Sequence, residues 1–95
     1  MDIRDLRKEI DRIDDELVRL FVTRMGLSAQ IADYKKAHGL PIYVPTREQE
    51  ILNDVAAKAG PELADYTVAL YSTIFKLSRE YQAQRGASHS DEVDG

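Results

Sequence analysis

Residues 3–34, IRDLRKEIDRIDDELVRLFVTRMGLSAQIADY, contain a regular pattern of apolar residues. Apolar residues recur in this stretch at steps that alternate between three and four positions. With one arginine they form a single seam: Ile3, Leu6, Ile10, Ile13, Leu17, Leu20, Arg24, Leu27, Ile31 and Tyr34. The heptad pattern predicts one long helix, from about Asp2 to Lys36, that packs against other helices.

Arg24 is the charged member of this seam. A guanidinium keeps its proton in proteins, and burying it without a partner is costly. Since no acidic residue occupies the seam, an anion from elsewhere is expected to meet Arg24. That anion is either a ligand or a carboxylate from another helix.

Length and composition restrict the classes of protein to consider. Ninety-five residues, 43% apolar and 32% charged, make one small globular domain. The absence of cysteine excludes thiolate chemistry, and two distant histidines give no reason to expect a metal site. The net charge of −4 argues against nucleic acid. No segment reads as a membrane span or signal peptide, so a cytoplasmic protein is expected.

Turn residues divide the rest of the chain. Residues 38–41, HGLP, end the first helix, and residues 39–45, GLPIYVP, form an extended connector. Thr46 with Gln49 fits a capping box, which predicts a second helix that starts at Thr46 and stops at Gly60-Pro61.

A third helix is predicted from Glu62 or Asp65 to Gln84. Its predicted inward face comprises Leu63, Leu70, Ile74, Leu77 and Tyr81. Residues 1–86 then form the domain, and residues 87–95 are a polar, acidic tail that is expected to be disordered.

The predicted first helix is too long for a single small domain. Thirty-five helical residues span about 52 Å, whereas a compact chain of this length has a radius of gyration of about 12 Å. The apolar seam therefore extends beyond any core that one copy can build. We expect an all-α, three-helix subunit in an interlocked dimer.

Several polar residues fall at positions where they can share a site: Arg24 with Lys35, Arg47 with Glu48, Ser78 with Gln82, and Arg7. Arg24 and Lys35 differ by about 20° around the helix and by about 16 Å along it. That spacing suits a cationic groove that holds a small molecule. Each residue also has an ordinary interpretation, as a helix-end charge, an ion-pair member or a solvated surface group.

In combination these residues resemble the all-helical chorismate mutase family. The resemblance runs from about Ile3 to Gln82 and rests on an ordered set of features: LRKEIDRID at 6–14, Arg24, Lys35, Pro41-Ile42, Arg47-Glu48 and Ser78-x-x-x-Gln82. It implies an intertwined homodimer with two equivalent sites, in which Arg7 reaches the partner's site. It also implies rearrangement of chorismate to prephenate, in phenylalanine and tyrosine synthesis, without a cofactor.

The resemblance assigns a role to each residue. Arg7 of the partner subunit and Arg24 would hold one carboxylate, Arg47 would hold the other, and Ser78 would add a hydrogen bond. A second group acts on the rest of the substrate. Its members are Lys35 and Gln82 as donors to the ether oxygen, Glu48 as acceptor from the ring hydroxyl, and Ile31 with Phe75 as an apolar wall.

The connector departs from the family pattern at Val44, where some members carry an aspartate. Glu48 alone would then contact the ring hydroxyl. The missing acid motivates one alternative activity, a 4-amino-4-deoxychorismate mutase. An isochorismate-pyruvate lyase on the same scaffold and a helical dimer module without catalysis also stay open. Family members also occur bound to other enzymes of aromatic amino-acid synthesis, so docking on such an enzyme is a further possibility.

Overall fold

A computed structural model describes residues 2–94 of the chain, with side chains for residues 2–85. Within this range the chain forms three helices and no strand. They are α1 (Ile3–Ala37), α2 (Pro45–Ala59) and α3 (Ala64–Asp94), and α3 packs against both of the others. The prediction of an all-α chain with a long N-terminal helix is confirmed.

The ends of α1 follow from local chemistry. Asp2 caps the helix by accepting a 3.0 Å hydrogen bond from the backbone N–H of Asp5. At the other end Gly39 adopts φ +67°, and the N–H of Leu40 donates to the carbonyl of Lys35 at 2.8 Å. This 6→1 bond belongs to the glycine-terminated motif that commonly ends helices. Both ends lie within a residue of their predicted positions.

The start of α2 differs from its prediction. Val44, not Thr46, is the capping residue, and it makes no side-chain capping bond. Pro45 occupies the first helical position, where its fixed φ suits the helix and its missing N–H costs nothing. The capping box at Thr46 is therefore wrong. The helix ends at Gly60, φ +85°, as predicted.

The third helix is longer than predicted. It continues past Gln84 and Gly86 to Asp94, because one internal glycine costs only about 1 kcal/mol relative to alanine and no proline follows it. The side chains of residues 86–94, and Gly95, lie outside the described residues. The domain boundary at residue 86 and the disorder of residues 87–95 stay predictions.

The covered face of α3 is also not the predicted one. Phe75 and Ser78 are buried against the other helices, each with 6% of its surface exposed. Leu70 is 54% exposed, and Leu63, Leu77 and Tyr81 are exposed as well. Of the predicted inward face only Ile74 is half-buried. Within the subunit, α1 and α2 cover one side of α3 and leave a second apolar side uncovered.

The subunit is elongated, and its apolar seam is open. Its dimensions are 58 × 30 × 15 Å and its radius of gyration is 17.2 Å, compared with about 12 Å for a compact chain of this length. Every apolar residue of the seam exposes between 44% and 59% of its surface. The core of one chain therefore does not cover the apolar seam of α1. None of the helices described has the length and apolar content to span a membrane.

Candidate active site

A cavity of about 320 Å³, the site cavity, lies where the second half of α1, the connector, the start of α2 and the middle of α3 meet. It is lined by eight of the nine predicted site residues: Arg24, Ile31, Lys35, Arg47, Glu48, Phe75, Ser78 and Gln82. The remaining lining residues are Leu27, Ser28, Ile42, Val44, Ile51 and Arg79. The volume lies in the range of small-molecule sites.

The site cavity is strongly cationic. Arg24, Lys35, Arg47 and Arg79 line it, and Glu48 is the single carboxylate among the lining residues that the structure describes. The whole chain, in contrast, carries a net charge of −4. Because positive charge is concentrated here against the overall balance, the cavity is suited to a ligand with more than one negative charge.

Arg24 meets aromatic rings rather than an acid. Its guanidinium carbon lies 5.8 Å from the ring centroid of Tyr71 and 5.6 Å from that of Phe75. These contacts support the cation through the ring faces. Among residues 2–85, no carboxylate lies within 4.0 Å of this guanidinium. Its hydrogen-bond donors therefore remain available to an anionic ligand.

Lys35 and Arg47 are positioned at two helix ends. The Lys35 ammonium donates to the carbonyl of Ile42 at 3.2 Å, which fixes it over the connector. Arg47, in the first turn of α2, pairs with Glu50 at 3.5 Å, and both side chains are largely exposed. Exposed pairs of this kind contribute about 0–1 kcal/mol, so a ligand carboxylate can replace Glu50 at little cost.

Ser78 and Gln82 project from α3 with the spacing of one helical turn. The Ser78 hydroxyl is buried and donates to the Met25 sulfur at 3.3 Å. The Gln82 Nε2 atom donates to the Ser28 carbonyl at 3.3 Å. An amide nitrogen carries two hydrogens, so one remains for a ligand. The buried Oε1 atom of Gln82 has no hydrogen-bond partner among the described residues.

Arg7 is the one predicted site residue that does not line the site cavity. It precedes Arg24 by seventeen positions on the same helix, which places the two backbones about 25 Å apart. No side chain bridges that distance. Arg7 can therefore act at such a site only if it belongs to another copy of the chain.

The sequence-based prediction missed Arg79, which forms a salt bridge with Glu48 and lies over the Tyr43 ring at 4.9 Å. Its neighbour Glu80 gives it the appearance of an ordinary surface charge. The helical spacing contained the signal, because Arg79 lies four residues after Phe75 and three before Gln82, on the same face of α3.

Comparison with known proteins identifies the family. A sequence profile described as chorismate mutase type II matches residues 6–83. The chain belongs to this family. The N-terminal seam, the connector and α3 thus share the sequence pattern of type II chorismate mutases.

Individual relatives agree with the family assignment. A chorismate mutase of Methanocaldococcus jannaschii is 34% identical over 79 residues, which cover 83% of this chain and 78% of that protein. A 4-amino-4-deoxychorismate mutase of Streptomyces venezuelae is 32% identical over 75 residues, with coverage of 77% and 73%. A T-protein of Haemophilus influenzae is 50% identical over 61 residues, which are 61% of this chain. The match covers only 16% of that T-protein.

A solved structure of the family has the same fold. The chorismate mutase (Form II) of Thermus thermophilus superimposes with a TM-score of 0.80 and is 36% identical. The superposition covers 85% of this chain and 93% of that one. The three helices of this chain therefore have the arrangement found in that chorismate mutase.

Proposed function

We propose that this chain is a chorismate mutase, an isomerase that converts chorismate to prephenate. The observation that supports this most directly is the site cavity, whose four cations and one carboxylate suit a small dianion with a hydroxyl group. Membership of the type II family supports the same activity. The product would feed phenylalanine and tyrosine synthesis in the cytoplasm, and docking on another enzyme of that pathway is compatible with this role.

The reaction requires restraint rather than reactive groups. The ether C–O bond breaks as a C–C bond forms within the same molecule, so nothing is added or lost. The enzyme has to hold the extended substrate in a compact conformer and stabilise the negative charge that develops on the ether oxygen. No nucleophile, general base or cofactor takes part in such a step.

The cations of the site cavity divide these tasks. Arg24 and Arg7 of the partner subunit bind one carboxylate and Arg47 binds the other, since the arginine fork matches a carboxylate at two points. Lys35 and Gln82 donate to the ether oxygen. The remaining groups position the ring: Ser78 beside a carboxylate, Glu48 at the ring hydroxyl, and Ile31 and Phe75 along the apolar face.

Two observations support an intertwined homodimer. The seam is exposed along its whole length, and the chain exposes 7602 Å², whereas a compact monomer of this mass exposes about 5,500 Å². The additional exposed surface area is in the range that stable protein–protein interfaces bury. A second α1 that crosses the first would cover the seam and bring Arg7 to the partner's site.

Leu17→Asp should convert the dimer to a monomer that has lost most of its activity. An aspartate in the centre of the seam would be buried without a partner, which is costly. Sedimentation equilibrium should give the subunit mass for this variant and twice that mass for the wild type. Arg19→Asp, on the opposite face of α1, is the control and should stay dimeric. A dimeric, fully active Leu17→Asp protein would contradict the assembly.

A second candidate activity is rearrangement of 4-amino-4-deoxychorismate. The relative from Streptomyces venezuelae carries that name, and the connector has Val44 where some mutases have an aspartate. The deciding experiment offers purified protein chorismate, the amino analogue and isochorismate in parallel. Loss of the diene absorbance with prephenate as product supports the proposal. Turnover of another substrate in preference, or of none, overturns it.

The pH profile tests the role of Gln82. An amide does not titrate, so between pH 5 and pH 8 kcat should change by no more than about twofold. In Gln82→Glu the donor must be a protonated carboxyl, whose ordinary pKa is about 4.3. Its kcat should be low at pH 8 and rise steeply as the pH falls. A wild-type rate that rises steeply from pH 7 to pH 5 would contradict this role.

A further inference from the structure

Arg79 connects three segments of the site, and the proposed mechanism gives it no role. It lies on α3, forms a salt bridge with Glu48 in the first turn of α2, and stacks over Tyr43 of the connector at 4.9 Å. The side chains of Arg79 and Glu48 are 40% and 25% exposed, so the pair is partly shielded from water. Its attraction is therefore stronger than that of a fully exposed pair.

The salt bridge leaves Glu48 able to bind a substrate group. Arg79 contacts the Oε2 atom of Glu48, so Oε1 can still accept a hydrogen bond. A neutral hydroxyl donates to Oε1 without electrostatic conflict. A substrate amine, which is protonated at neutral pH, would bring a positive charge close to the Arg79 guanidinium.

The connector does not compensate for that positive charge. Its residue nearest α2 is Val44, and among residues 2–85 Glu48 is the single carboxylate that lines the site cavity. With Arg79 in place, the charge of this carboxylate is largely offset. The pocket around Glu48 therefore has no net negative charge left to stabilise an ammonium group.

We propose that Arg79 determines specificity by favouring a hydroxyl, and disfavouring an amino group, at the ring position that Glu48 contacts. The inference rests on the proposed function, because it concerns the substrate of the same site. Overall sequence identity does not distinguish the two candidate activities, since it is 34% to the chorismate mutase relative and 32% to the 4-amino-4-deoxychorismate mutase relative. The residue at position 79 would distinguish them.

The test compares kcat/KM for chorismate and for 4-amino-4-deoxychorismate. In Arg79→Leu we expect the ratio of the two kcat/KM values to shift toward the amine by about tenfold. The shift is this small because solvent partly screens the repulsion between the Arg79 guanidinium and the substrate ammonium. Arg79→Lys keeps the positive charge and should retain the wild-type ratio. Where turnover of the amine is too slow to measure, its inhibition constant against chorismate gives the same comparison.

Arg85→Leu is the matched control. Arg85 lies on the same helix, has the same 40% side-chain exposure, and pairs with Asp33 at 3.4 Å outside the site cavity. Its loss should leave the substrate ratio unchanged. Arg79→Gln provides a second neutral variant if Arg79→Leu fails to fold as judged by circular dichroism.

Two outcomes overturn the specificity role: an unchanged ratio in both neutral variants, or the same shift in Arg85→Leu. Failure of the wild-type protein to convert chorismate is a different result, since it rejects the proposed function itself. If the wild-type enzyme converts chorismate but the Arg79 variants keep the wild-type substrate ratio, only the specificity role of Arg79 is rejected.

Discussion

Lys35→Ala should lower kcat for chorismate by about 10²- to 10³-fold, the typical effect of removing a donor to a developing negative charge. The ammonium is held over the connector by its bond to the Ile42 carbonyl and lines the site cavity with Gln82. Because the proposed role places its charge at the breaking C–O bond, KM should change much less than kcat. Initial rates from loss of the diene absorbance give both constants.

Lys36→Ala is the control for this prediction. Lys36 is adjacent in sequence, carries the same charge at the end of α1, and lines a different cavity between α1 and α3. Its loss should leave kcat within about twofold. Equal losses in the two variants would mean that Lys35 acts on the helix end or on the overall charge, and not on the reaction.

Arg7→Ala should lower kcat/KM about 100-fold, as expected when one partner of a hydrogen-bonded charge pair is removed. The distinctive result comes from mixing. If Arg7 acts in the partner's site, a heterodimer of Arg7→Ala with Lys35→Ala contains one complete site and one that lacks both residues. Equal amounts of the two inactive variants, after subunit exchange, should recover about a quarter of wild-type activity.

The alternative arrangement makes the opposite prediction. If Arg7 acted within its own chain, neither site of the heterodimer would be complete, and the mixture would be no more active than its components. A mixture of Arg24→Ala with Lys35→Ala is the control, since both residues line the cavity of one chain. It should recover nothing. Recovery there would contradict the intertwined arrangement.

Helix ends were predictable where the chemistry of a single residue determines the local backbone conformation or its hydrogen bonding. The Asp2 carboxylate caps α1. Gly39 and Gly60 end their helices with positive φ, as expected for residues that lack a Cβ. The prediction failed at Thr46, because Pro45 suits the first helical position and the helix starts there without a side-chain cap. It also failed at Gly86, where a weak breaker does not stop α3.

The candidate site was predictable to the extent that its residues share helix faces. Arg24 with Lys35, and Ser78 with Gln82, are related by helical geometry alone. The family pattern placed these pairs in one site with Arg47, Glu48 and Arg7. The covered face of α3 was not predictable in this way. Apolar residues occur on two sides of that helix, and periodicity does not say which side packs within the subunit.

Residue spacing and local preferences were thus enough to predict three helices, most of their ends, and three of the four cations that line the site cavity. These depend on the spacing of residues and on preferences that act within a turn or two of helix. The pairing of Arg79 with Glu48, 31 positions apart, and the aromatic contacts of Arg24 could not be predicted from this spacing. Such contacts depend on how separate helices approach one another, which is set by packing along their whole length.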